Sequence, residues 1–227
     1  MLRKLLSQLA PIAATPFGGA ASPGYKPHAD PGANAFYNLL FCDGASAFKG
    51  EPDAPPAPWQ KALLSMPADV LALQELACDV SLEGRIRYLA FSRLRETGHT
   101  VLPKILLGVI AEVPLPGGLD TLAAYREGGV RYINQSEKIL VIEKAPRLAP
   151  IVDRLFAAAM VEVARIGPWD RPRLAPPARG SIRLSFLVSD GLYFCEGSMP
   201  AMRLDATTGP IVGQATELLR AVTAGSA

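Results

Sequence analysis

The sequence predicts an α+β fold: a helical N-terminal part, then a mainly antiparallel sheet of about six strands packed with two C-terminal helices. Three observations carry this. Apolar residues recur at helical spacing through residues 59–98. Aliphatic runs separated by short, turn-forming gaps follow from residue 104 to 143, and Asp190-Gly191 stands between two more apolar runs. Strands that follow one another in hairpins, rather than alternating with helices, point away from a doubly wound α/β sheet.

Residues 1–34 read as an N-terminal helix and a Pro/Gly-rich arm, and residues 35–227 as a single α+β domain. The helix places Leu2, Leu5, Leu6 and Leu9 on one stripe. Met1-Leu-Arg-Lys resembles the start of a signal peptide, but Ser7, Gln8 and Pro11 interrupt the apolar stretch, so the expectation is a cytoplasmic protein. Residues 35–44 fit either a strand or a short buried helix. After the Pro-rich break at 51–58, a helical stretch runs from Trp59 to Met66, and Pro67 reads as the first turn of a helix over Ala68 to Cys78. The helix beginning near Ser81 aligns Leu82, Ile86, Leu89, Ala90 and Leu94, with Ser81 as N-cap and Gly98 just beyond the C-terminus.

The run from Lys104 to Val113 suits a strand covered on both faces. Leu119–Arg126, Val130–Gln135 and Ile139–Glu143 complete a four-strand antiparallel meander. Residues 147–166 form a helix, Ser181–Val188 and Leu192–Glu196 a hairpin, and Pro210–Thr223 a last helix; the sheet–helix subregion thus spans 104–223.

Composition excludes several function classes. Apolar residues at 49% and charged residues at 19% belong to a globular, soluble chain, and Gly (20) and Pro (21) imply many turns without disorder throughout. Twenty-three basic residues against 21 acidic ones, scattered along the chain, give a net charge of +2 and no stripe for duplex nucleic acid. No apolar run reaches 18 residues, so no transmembrane segment is expected. Cys42, Cys78 and Cys195 are far apart and unpaired in spacing, which suits apolar fillers in a reducing compartment. His28 and His99 form no ligand pair, no phosphate loop or GxSxG occurs, and no metal or cofactor is expected.

Candidate binding residues come from polar density in unusual places. Arg131, Asn134, Ser136 and Lys138 cluster at one end of the meander, where a rigid sheet can present hydrogen-bond donors, although Asn and Ser also make ordinary turns. Glu112 is a carboxylate at the end of an otherwise apolar strand and, on this reading, either pairs with Arg131 or Lys138 on a neighbouring strand or marks where the strand leaves the core. A cysteine–histidine pair is conceivable with His99 as base and Cys42, Cys78 or Cys195 as nucleophile, Cys42 beside Asp43 being the least mundane; a buried inert thiol is the better explanation. Arg85 and Arg93 belong either to a solvated helix face or to a clamp for an anionic partner, and Trp59 and Trp169 to docking or to loop packing. The reading that follows is a non-catalytic protein-interaction or oligomerising module. The alternative is a small-ligand binder or enzyme acting on an anionic metabolite at the end of the meander.

Overall fold

The computed structural model describes residues 24–49 and 55–224; the helix read at the extreme N-terminus lies outside them. Among the described residues the chain forms helices α1 (Pro31–Phe41), α2 (Pro58–Leu64), α3 (Val70–Cys78) and α4 (Gly84–Glu96), then strands β1 (Leu106–Leu115), β2 (Gly118–Tyr125), β3 (Val130–Ile133) and β4 (Ile139–Ile142). Helix α5 (Ala149–Arg165), strands β5 (Ser181–Val188) and β6 (Gly191–Ser198), and helices α6 (Met199–Leu204) and α7 (Thr208–Ala224) complete it. The fold is α+β, with one antiparallel six-stranded sheet in the order β4-β3-β2-β1-β5-β6. The meander is intact, and the second hairpin adds to its β1 edge.

Helices cover both faces. Val109, Ala111, Leu122, Ala124, Leu184 and Phe186 meet α5 and α7 through Val152, Leu155, Phe156, Ile211, Ala215 and Leu218. On the opposite face Leu107, Ile110, Ala123, Tyr125 and Leu187 meet the four N-terminal helices through Tyr37, Leu40, Leu63, Leu73 and Leu89. This is why β1 lacks a polar alternation: Leu106 to Glu112 is buried throughout.

Local chemistry sets the helix ends. The ambiguous segment 35–44 is helical; α1 starts at Pro31, where the Asp30 carboxylate accepts from Ala33 N (2.7 Å). Pro67 lies before the first turn of α3, because Asp69 caps that helix at Ala72 N. Ser81 does not cap α4. Its N–H and hydroxyl both donate to Asp79, which makes it part of a turn, and the helix begins at Gly84. The other end of α4 closes as the sequence predicts: Gly98 takes φ +79°, Gly98 N donates to Arg95 O and His99 N to Leu94 O, both at 2.9 Å. The segment after β6 also holds a helix the sequence did not suggest, α6, capped by Ser198.

Gly84 sits against the sheet. A Cβ there would lie 2.2 Å from the carbonyl oxygen of Leu107, which already accepts from Arg126 N (3.0 Å). Backbone cannot yield as a flexible side chain can. Gly84→Ala is therefore expected to lower stability by about 1–3 kcal/mol, read as a reduced urea midpoint at unchanged m-value.

Candidate functional site

The long connection between α5 and β5 crosses one end of the sheet and is tied down by Arg173. The guanidinium of Arg173 donates to both Asp43 carboxylate oxygens, the shortest contact being 2.7 Å, to Tyr37 Oη (3.1 Å) and to Asn38 Oδ1 (2.9 Å). Its carbonyl accepts from Tyr25 Oη, and the rings of Tyr25, Tyr37 and Phe41 surround the cation at 4.9, 5.2 and 3.9 Å. From there a polar line runs into the sheet. Tyr37 Oη donates to Glu112 Oε1 (2.6 Å), Glu112 faces Arg183 at 3.7 Å, and Arg183 donates to Glu196 Oε2 (2.6 and 2.8 Å).

Glu112 is wholly buried, and burial pushes its carboxyl above the usual carboxylate range, against the Tyr37 hydrogen bond and the Arg183 and Arg173 charges, which pull it down. Its Oε2 has no hydrogen-bond partner, and neither do the buried Thr121 Oγ1, on the residue directly opposite in β2, and His28 Nε2. Tyr37, Glu112, Arg183 and Glu196 stand outside the lining of the cavity that Asp43 and Arg173 border, so this part of the line is a structural spine.

The spine supports a cavity of ≈ 270 Å³ on the protein surface. Its walls are the end of α1 (Cys42, Asp43), the α4 stripe of Tyr88, Ser92 and Arg95, the connection from Pro168 to Arg173, and the β5–β6 turn at Asp190. Trp169 is held in place: its backbone N donates to Leu192 O (2.7 Å), its Nε1 to Pro172 O (3.0 Å), and its ring meets Phe194 edge-on at 5.0 Å.

The four carboxylates of the wall are already engaged. Asp43 holds Arg173. Asp190 accepts from Lys104 N and Tyr193 Oη, and Glu96 from Arg93 and Ser92. Asp170 faces Arg171 at 3.8 Å. Arg95 differs: it donates to the Ser189 carbonyl and lies over Tyr88, with no carboxylate in contact among the described residues. The cavity therefore presents a guanidinium with no ion-pair partner, stacked on Tyr88, while Asp190 in the same wall is held by neutral donors only. Cys42 offers no nucleophile there, because burial pushes its thiol well above the ordinary range. His99 is exposed at the end of α4, its Nδ1 3.1 Å from Thr97 Oγ1.

The residues singled out from sequence are dispersed. Arg131 is buried on the face covered by the N-terminal helices, where it pairs with Glu83 (3.4 Å) and Glu143 (3.1 Å). Asn134 Oδ1 accepts from Ser136 N and Lys138 N, both at 2.9 Å, so this group builds the β3–β4 turn. Glu112 pairs with Arg183, since β1 lies between β2 and β5 and Arg183 is its direct cross-strand neighbour, with β3 one strand further away. Arg85 pairs with Glu83 over the Phe48 and Tyr125 rings, Arg93 with Glu96, and Trp59 is half-buried against the N-terminal helices. Of the residues singled out, Trp169 and Cys42 line the cavity. Arg95 shares a stripe with Tyr88 and Ser92 at spacings of four and three, a signal legible in principle but indistinguishable from a solvated face.

No group of three or more His, Cys, Asp or Glu side chains placed to hold a metal ion occurs among the described residues, and none of their helices is long and apolar enough to cross a membrane. Comparison with models of known protein families, with curated proteins and with solved structures finds no match.

The raised Glu112 carboxyl makes stability pH-dependent with a definite sign. A folded-state value above the unfolded one contributes stability that is complete below the unfolded range, near pH 4, and is lost as pH rises through the folded value. Glu112→Gln cannot titrate but keeps an acceptor for Tyr37. The difference in unfolding free energy, variant minus wild type, is expected to climb between pH 4 and 7, by at most about 1.4 kcal/mol per pH unit. A difference that stays flat over that range, in urea melts, would contradict this.

Proposed function

We propose that this chain is a non-catalytic interaction module whose docking site is the cavity between α4 and the 168–173 connection. The partner it suits is a polypeptide that inserts a carboxylate, from an acidic side chain or a chain end, with an apolar neighbour resting on Trp169. One observation carries this reading: the Arg95 guanidinium lines the cavity bound to the Ser189 carbonyl and Tyr88 ring, with no carboxylate in ion-pair contact among the described residues. Arginine matches a carboxylate through two parallel hydrogen bonds, and a fixed tryptophan adds area at little entropic cost. The thiol and both imidazoles available to the described residues contribute no base–nucleophile pair to this cavity, which favours binding over turnover.

The test uses tryptophan fluorescence in a Trp59→Phe background, so that Trp169 alone reports. Short peptides ending in an aliphatic residue with a free carboxylate are expected to quench or shift the emission, and their amidated counterparts are not. Arg95→Gln should weaken binding roughly tenfold or more, about 1.5–3 kcal/mol, at unchanged melting temperature. Equal binding of free and amidated peptides would sink the reading. A small acidic metabolite retained in native mass spectrometry, and lost in Arg95→Gln, would instead favour the ligand-binding alternative; the cavity is near the lower limit of small-molecule sites.

Association of two copies has its own support, at the β4 edge. Lys138 O accepts from Asn134 N, so strand alternation turns the amide groups of Ile139 and Val141 outward, and these side chains are 39% and 51% exposed. Two such edges can pair antiparallel, Ile139 against Val141 in both directions. Four residues give a weak interface. Light scattering is expected to show a monomer converting to a dimer as concentration rises, and Val141→Lys to abolish the conversion; a monomer at every concentration would exclude it.

A further inference from the structure

On the opposite face and at the opposite end of the sheet lies a second cavity, of ≈ 250 Å³, between the strands and α7. Its floor is Ala111, Leu122 and Ile182, and its roof Val212, Ala215 and Leu219. Small side chains at Ala111 and Ala215 leave the space open where larger ones would close it. The lining is almost wholly carbon. Thr216 is no exception, since its hydroxyl donates to Val212 O (2.7 Å).

One charged group belongs to the cavity. Asp120, half-buried, accepts from Tyr132 Oη on Oδ2 (2.8 Å) and from Gln135 N on Oδ1 (2.7 Å). These two donors fix the carboxylate in place and leave each oxygen with a further lone pair. No basic side chain lines this cavity. The electrostatics are therefore those of a single negative group on the rim of an apolar slot.

We propose that this cavity is a binding site for a small apolar molecule with a cationic or hydroxyl head group, its alkyl or aryl part between Leu122 and Leu219 and its head donating to Asp120. An apolar cavity of about 150 Å³ takes benzene, so this one accommodates a medium-length alkyl chain or a fused pair of rings. A carboxylate head is excluded, because it would face Asp120 across a low-dielectric slot. The site lies at the end of the meander, held from above by the β3–β4 turn through Gln135, but it selects against the anionic metabolite that the basic residues of that segment suggest.

Octylamine, octanol and octanoate share one tail and differ in the head, and serve as probes for calorimetry and thermal shift on the full chain. Octylamine and octanol are expected to bind and raise the melting temperature, with octylamine at least tenfold tighter than octanoate. Asp120→Asn, whose oxygen still accepts from Gln135 N while its amide donates to Tyr132 Oη, should bring the amine and carboxylate within threefold of each other. Ala215→Leu, which fills the slot, should abolish the shift for all three. Equal binding of the three probes to the wild type, survival of the shift in Ala215→Leu, or no shift with any probe would each overturn the assignment. None of these results depends on peptide binding at Arg95.

Discussion

The layered arrangement depends on one buried cation. Arg173 arrives on a connection rich in proline and arginine, which by composition belongs on the surface, yet its side chain is 2% exposed. A guanidinium so placed is tolerable only when every face is answered. Here Asp43 supplies the charge, Tyr37 and Asn38 accept in the plane, and Tyr25, Tyr37 and Phe41 cover the π faces. All these partners come from the first helix and its flanks. The interaction thus joins the start of the described chain to the segment that enters β5, and it sets where Trp169 stands relative to α4.

The sheet separates two environments of opposite character. The face under the N-terminal helices carries the charged line from Arg173 through Glu112 to Glu196 and opens at Arg95. The face under α5 and α7 is carbon throughout, apart from a few groups such as the Asp120–Tyr132 pair and Thr208. Alternation along each strand makes this possible, since neighbouring residues answer to different layers. Asp120 and Thr121, adjacent in sequence, belong to opposite faces of the sheet for that reason alone: Asp120 borders the second cavity and Thr121 is buried opposite Glu112.

Much of the architecture was legible because it is local. Gaps of a few residues between apolar runs, the Asp190-Gly191 turn and the stop at Gly98 each encode their own geometry. Segment 35–44 could not be assigned, since a helix pressed against several layers loses its polar stripe: Tyr37, Leu40 and Phe41 are all buried. The candidate sites were far less legible. Glu112 was conspicuous in the sequence, but its partner Arg183 lies on a strand that hydrogen-bonds to β1 from 71 residues away, a neighbour no spacing rule identifies. Arg95 reads like any arginine on a solvated face, and only the carboxylates around it, each held by a different residue, distinguish it. Asp120 has no unusual sequence context at all; its meaning comes from the alanines that face it.

The strand order carries a consequence for synthesis. The hairpins β1–β2, β2–β3 and β3–β4 are complete once the chain has emerged through Ile142, yet β1 is an inner strand whose second neighbour, β5, begins at Ser181. During that interval a strand destined for burial on both faces presents a bare hydrogen-bonding edge to its surroundings, and its Glu112 waits without Arg183. Pairing across so long a loop is slow compared with forming a hairpin. A nascent chain halted between these two points offers a template for strand pairing with other chains until the last fifth of the polypeptide arrives.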